Sequence, residues 1–155
     1  MTEDRKNILT RVFTDILEQM AFMFGDKASP DDFRETTEPM LQAQMTYRGN
    51  LRGSLSLAVP EAMCPELAAN LLGTEPEEAG ERHIYIDALK ELLNVTCGNV
   101  LTAMAGEEPV FDLTVPEVTE LSDAMRETML NDETTVYLLV DEYPAALRLT
   151  VEDTA

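Results

Sequence analysis

The sequence predicts an α+β fold, a helix/sheet sandwich in which two long helices pack on a β-sheet and the two halves form a diverged internal repeat. Two segments carry apolar residues at helical spacing, and each is followed by segments in which apolar and polar residues alternate. The order of a long helix followed by strands therefore occurs twice. The length of 155 residues predicts one domain, residues 1–155.

The first half begins with a helix over about residues 2–24, which Gly25 can end. A loop rich in Asp, Ser and Pro follows. Alternation predicts strands over about residues 41–47 and 51–59, joined into a hairpin by the turn residues 48–50. Pro60 can begin a short helix that continues to about Leu72 and ends at Gly73. Residues 74–80 are predicted to be an acidic loop.

The second half begins with a helix over about residues 83–105 that Gly106 closes. A short strand is predicted over residues 111–115, before Pro116, and a helical turn or two over residues 122–130. A second hairpin joins residues 135–140 to residues 145–151 around the turn 141–144. The run 15–18 (Asp-Ile-Leu-Glu) matches the run 91–94 (Glu-Leu-Leu-Asn), and Pro39 and Pro116 follow at nearly the same offset, which supports a repeat.

The net charge of −19 argues against nucleic acid and anionic membrane as partners, because both require Lys and Arg to neutralise phosphate. It is compatible with a basic protein partner, whose encounter it would accelerate. The alternative is that the charge only keeps the protein soluble. No apolar run approaches the length of a membrane helix and no signal peptide is evident, so a cytoplasmic location is expected.

Several common catalytic and metal sites are not predicted. Cys64 and Cys97 lie in separate apolar stretches and are expected to be buried free thiols rather than a disulfide. His83, the single histidine, would have to serve any Ser-His or Cys-His site, and we expect it to be an ordinary residue near a helix start. No zinc-site spacing and no glycine-rich phosphate loop is present.

One face of the second long helix is unusual for a plain surface. At about 100° per residue, Asp87, Glu91, Asn94 and Gly98 share one narrow stripe. The apolar residues that should pack on the sheet share the opposite side: Leu89, Leu92, Leu93, Thr96, Val100 and Ala103. The like charges, the mid-helix Asn and the Gly together cost roughly 1–2 kcal/mol of helix propensity. A glycine in such a stripe would let another backbone approach closely.

Two alternatives require no function for this stripe. Acidic helix faces are common in acidic proteins, and Gly98 could instead allow close packing against the other long helix. Leu101, near the same face, is either a docking contact or a core residue.

The run Asp87-x-x-x-Glu91-x-x-Asn94, with Pro116 about twenty residues later, resembles the signature of the CheC/CheX/FliY chemotaxis phosphatases. The gap to Pro116 is about one residue shorter than the usual pattern. Residues 16–24 resemble the opening helix of CheX-like domains. CheC-like members have two copies of the motif and CheX-like members have one. Here the equivalents in the first half, Asp15 and Glu18, include no amide, so the sequence resembles the CheX-like pattern with one site.

The resemblance implies that the chain docks on a phosphorylated CheY-like response regulator and promotes hydrolysis of its phosphoaspartate. It assigns the orientation of the attacking water to Asn94 and a charged contact with the receiver's lysine to Glu91. Asp87 and Gly98 would contact the partner. The protein would need no cofactor of its own, since the receiver supplies Mg²⁺, and the family implies possible homodimerisation through sheet edges.

Two other functions remain open from the sequence. The chain could be a non-catalytic adaptor that binds a receiver or a flagellar or chemotaxis component through the same face; the retained amide favours the enzyme. Asp87 and Glu91 could also bind a metal ion, but two carboxylates are an incomplete ligand set for Ca²⁺ or Mg²⁺.

Overall fold

The structure is a computed structural model that describes residues 2–153, apart from the side chains of Thr2, Pro76 and Asp153. Its described residues form six α-helices: α1 (Thr2–Ala21), α2 (Pro30–Arg34), α3 (Cys64–Leu72), α4 (Pro76–Ala79), α5 (Arg82–Ala105) and α6 (Asp123–Leu130). They form seven strands: β1 (Gly25–Lys27), β2 (Met40–Arg48), β3 (Leu51–Pro60), β4 (Asp112–Leu113), β5 (Glu117–Glu120), β6 (Val136–Val140) and β7 (Tyr143–Asp153). The mixed helix and antiparallel sheet architecture confirms the predicted fold class.

All strands join one antiparallel sheet in the order β1-β6-β7-β3-β2-β4, with β5 also paired to β2. This strand order is nearly symmetric about the central pair β7–β3. Each half contributes a hairpin, β2–β3 or β6–β7, and the short strand of each half pairs with the first hairpin strand of the other half. This exchange interlocks the halves, and the predicted internal repeat is confirmed at the level of topology.

The two long helices also repeat the same pattern of burial. When Asp15 of α1 is aligned with Glu91 of α5, every buried position of α1 falls on a buried position of α5. The pairs are Leu9 with Tyr85, Val12 with Ala88, Phe13 with Leu89, Ile16 with Leu92, Leu17 with Leu93 and Ala21 with Cys97. The short sequence match at 15–18 and 91–94 therefore reflects a real structural equivalence.

The larger core lies between the long helices and one face of the sheet. It contains the apolar stripes of α1, α3 and α5 and the inward residues of the hairpins, such as Met45, Leu57 and Leu147. A smaller core covers part of the other face, where Phe33 of α2 and Met129 of α6 pack on Met40, Ala58 and Ala146. Side chains of β2 thus point alternately to the two faces of the sheet, as strand geometry requires.

Helix α1 ends at Ala21, so the predicted end near Phe24 is wrong. Asn70 of α3 donates from Nδ2 to the Ala21 carbonyl oxygen at 2.8 Å. The Phe24 N–H donates to Asp141 Oδ1 at 3.1 Å, and the Asp141 N–H donates to the Phe24 carbonyl at 2.9 Å. These bonds draw the chain into the sheet, where Gly25 begins β1 instead of ending the helix.

Short elements appear where the sequence analysis predicts only loops. The loop after α1 contains β1 and α2; at the start of α2, the Ser29 N–H donates to the Asp32 carboxylate at 3.0 Å. The acidic segment 74–80 contains α4. The predicted strand 111–115 is reduced to β4, and β5 was not predicted.

The second hairpin has a two-residue turn rather than the predicted four-residue one. Asp141 and Glu142 have φ values of 46° and 74°. Positive φ at both central residues is typical of the tight turns that match strand twist. Tyr143 and Pro144 therefore belong to β7.

Both cysteines are buried and free, as predicted. Burial raises the pKa of the Cys64 thiol to about 12 and that of the Cys97 thiol to about 11. Only the thiolate is nucleophilic, so at pH 8 both groups are almost entirely in the unreactive form.

We therefore predict that a thiol reagent such as DTNB leaves both cysteines unmodified in the native protein at pH 8 and modifies both after denaturation. The measurement is thiol absorbance against time with and without guanidinium. Rapid stoichiometric labelling of the native protein would contradict the burial of either group.

Candidate functional site

Helix α5 has one buried and one exposed side. Its buried residues face the core: Tyr85, Ala88, Leu89, Leu92, Leu93, Thr96, Cys97, Val100 and Leu101. Leu101 is thus a core residue and not a docking contact. Ala103 is exposed, so its predicted packing on the sheet is wrong; it lies in the last turn, beyond the final buried residue of the helix.

The opposite side presents the predicted polar stripe to solvent. Asp87, Glu91 and Asn94 are exposed, and Gly98 is half-buried. Within the described part of the chain, none of the three polar side chains has a hydrogen bond or ion-pair partner. By contrast, Asn99 Nδ2 donates to the Val95 carbonyl of its own helix at 2.8 Å. The Asn94 amide is therefore free to bind water or another molecule.

The stripe forms one wall of a shallow groove of about 370 Å³. Helix α5 contributes Asp87, Lys90, Glu91 and Asn94, and the opposite wall is the segment Leu113, Thr114, Val115 and Pro116. A second groove of about 440 Å³ continues along β5 as far as Thr119 and shares Lys90, Val115 and Pro116 with the first. Carboxylate, amide and ammonium groups thus converge on one open surface.

A bulge in the sheet edge shapes the second wall. Tyr47 pairs with Leu113 and Gln44 pairs with Glu117, so two residues of β2 face the three residues 114–116. Thr114 is held in the ladder: its N–H donates to the Thr46 carbonyl at 3.0 Å. Pro116 has no N–H to donate and is buried, which accounts for the break between β4 and β5.

The bulge places Val115 beside the groove, where 78% of its surface remains exposed. Sequence reasoning missed Lys90 and the wall residues 113–115. Lys90 precedes Asn94 by four residues, so helical spacing alone could have placed it on the same face. The wall residues were undetectable in this way, because they approach α5 only through pairing with β2.

The first half has a counterpart groove that differs in chemistry. Glu18, the equivalent of Asn94, lines a groove of about 750 Å³ with Thr14, Gly25 and residues of β6. The position equivalent to Asn94 thus holds a carboxylate and not an amide, in agreement with one motif rather than two. Pro39 is not the counterpart of Pro116: it is exposed and precedes a hairpin strand, whereas Pro116 is buried and precedes an edge strand.

Other classes of site are not assembled in the described residues. His83 is exposed on the first turn of α5, 3.6 Å from Glu81, and both cysteines lie in the core. Among the described residues, no group of three or more His, Cys, Asp and Glu side chains is placed to hold a metal ion. None of the described helices combines the length and apolar character that crossing a bilayer demands.

Residues 41–139 match the family model described as "Chemotaxis phosphatase CheX". Among solved structures, CheX from Vibrio vulnificus is 17% identical with a TM-score of 0.69, over 98% of this chain and 99% of that one. The CheX–CheY–BeF₃–Mg²⁺ complex from Borrelia burgdorferi is 16% identical with a TM-score of 0.61, over 95% and 97%. FliY from Thermotoga maritima is 13% identical with a TM-score of 0.56, over 99% and 92%. No curated protein matches the sequence significantly.

The side of Gly98 on which a side chain would project is open. A Cβ atom added to it would meet no atom of another part of the described chain within 4 Å. The alternative that Gly98 serves close packing between the long helices is therefore wrong.

We predict that Gly98→Ala stabilises the isolated protein by about 0.5–1 kcal/mol, because alanine restores helix propensity without a clash. The measurement is chemical denaturation followed by circular dichroism. Asn99→Ala, on the same helix, is a control for general effects of alanine there. A destabilised Gly98→Ala variant would mean that the glycine has a structural role inside the fold.

Proposed function

The chain belongs to the CheX family, and from that premise we propose that it docks on a phosphorylated CheY-like receiver domain and promotes hydrolysis of the phosphoaspartate. The observation that supports this proposal is the pair Glu91 and Asn94, which lie one turn apart on the exposed side of α5 and line one groove with no partner among the described residues. In the Borrelia burgdorferi structure, CheX is in a complex with CheY, BeF₃ and Mg²⁺.

The proposed role of Asn94 is to hold the attacking water. An amide oxygen accepts a hydrogen bond from water while the amide nitrogen donates to a phosphoryl oxygen, so one side chain can fix both reactants. The water oxygen forms a bond to phosphorus as the bond between phosphorus and the aspartyl oxygen breaks. The products are inorganic phosphate, which takes the proton of the water, and a free aspartate carboxylate.

The proposed role of the acidic residues is to align the two proteins. Glu91 would form an ion pair with the lysine of the receiver, and Asp87, one turn earlier, would add a second contact to the docked partner. Gly98 would allow the backbone of the partner to approach the helix. The chain itself would contribute no metal, since Mg²⁺ on the receiver neutralises charge on the phosphoryl group.

We predict that Asn94→Ala lowers the rate of receiver dephosphorylation on the order of 100-fold, because the water loses its orienting group. The assay follows loss of phosphate from a purified phosphorylated receiver at saturating concentrations of this protein. Asn99→Ala is the matched control: it removes an exposed asparagine from the same helix, outside the groove. Circular dichroism checks that both variants are folded.

Equal rates for Asn94→Ala and the wild type would refute the role of the amide. If the wild-type protein binds the receiver without accelerating phosphate loss, the chain is an adaptor and not a phosphatase.

A further inference from the structure

An apolar rim leads up to the groove that contains Glu91 and Asn94: Leu113 and Val115 line this groove, and Val110 precedes them on the same segment. We give this name to Val110, Leu113 and Val115, whose side chains are 84%, 39% and 78% exposed. Only three other large apolar side chains of the described residues are exposed, namely Phe22, Phe24 and Leu72. Half of this exposed apolar set is therefore concentrated in six residues of chain, and two of the three side chains line one groove. Such clusters, when surrounded by polar residues, commonly mark interaction surfaces.

The rim is held in place by contacts of the residues next to it. The Phe111 ring packs edge-on against Tyr47, with ring centroids 6.1 Å apart. Gly49 provides the space for this contact, since an added Cβ would lie 2.7 Å from the Phe111 ring and 2.8 Å from the Val110 carbonyl oxygen. Further along, Thr46 N–H donates to Thr114 Oγ1 at 2.8 Å. The segment is thus fixed on both sides of Leu113, and docking would not require it to become ordered.

The rim and the polar stripe form one continuous surface. Leu113 and Val115 line the same groove as Glu91 and Asn94, so a partner that inserts between these walls must cover them. Most of the charged side chains around the rim are acidic. Carboxylates flank it along the chain at Glu107, Glu108, Asp112 and Glu117, and among the described residues that line either groove Lys90 is the one basic side chain. The complementary surface is apolar with basic residues at its margin.

We infer that the apolar rim is the docking contact for the receiver domain: it supplies affinity for the surface around the phosphorylated aspartate, while Asn94 acts on the phosphoryl group and Glu91 pairs with the receiver's lysine. This inference rests on the proposed function and adds that affinity for the partner and promotion of the reaction depend on different residues. Apolar area that is covered equally in the ground state and the transition state lowers KM without changing kcat. Rim and stripe variants should therefore affect different kinetic constants.

The test compares Leu113→Ser/Val115→Ser, at the two rim residues that line the groove, with the wild type and with Phe24→Ser/Leu72→Ser, which removes two exposed apolar side chains elsewhere. Dephosphorylation is measured over a range of phosphorylated receiver concentrations, and the Kd is measured for the receiver loaded with BeF₃⁻ and Mg²⁺. The rim variant should raise KM and Kd by about tenfold or more with kcat within about twofold of wild type. The control double variant should leave both constants unchanged.

The outcomes separate the rim from the catalytic proposal. If the rim variant accelerates dephosphorylation with unchanged KM and Kd, the docking role of the rim is refuted and the proposed phosphatase function stands. If the wild type binds the receiver tightly without accelerating its dephosphorylation, and the rim variant binds it more weakly, the docking role of the rim is supported and the phosphatase function is refuted. If the rim variant instead dissociates a homodimer in analytical ultracentrifugation while Kd for the receiver stays the same, the rim serves a second copy of this chain and the inference is wrong.

Discussion

The packing of the apolar stripe of α5 on the sheet is the constraint on which the candidate site depends. Buried residues recur through the helix from Tyr85 to Leu101, and this stripe fixes the rotation of the helix about its axis. Asp87, Glu91 and Asn94 lie on the other side and must therefore face outward. Their positions are set by the core and not by contacts of their own. Such a side chain sits on a rigid support while its polar end stays available.

The internal repeat provides a long helix packed on the sheet twice, and only the second helix has the motif residues Glu91 and Asn94. Both long helices bury equivalent positions, and each has an edge strand and a groove beside its exposed face. In the first copy the edge strand β1 pairs in register through three residues without a bulge, and Glu18 takes the place of the amide. In the second copy Pro116 and the bulge push Val115 outward next to Asn94. The two copies thus share a scaffold and differ in the side chains that they present on it.

The sequence predicted most of what depends on local periodicity. The two long helices, the hairpin strands and the exposed stripe of α5 follow from spacing of 3.6 or 2 residues, which tertiary contacts reinforce. It did not predict elements that depend on distant partners. The end of α1 is set by Asn70 and Asp141, and β5 exists because β2 offers an open edge. For the same reason the α5 wall of the groove was largely foreseen, whereas the wall built by Leu113 and Val115 was not.

The residues of the polar stripe lower the helix propensity of α5. Like charges at positions 87 and 91, an asparagine in mid-helix and a glycine at 98 all lower helix propensity. Internal contacts do not compensate: the described chain offers these side chains no partner, and the space next to Gly98 is open. The fold tolerates them because the opposite side of the same helix is fully buried, and helical stability comes mainly from such packing. Residues that weaken a helix locally and have no internal role are best explained by a contact outside the molecule.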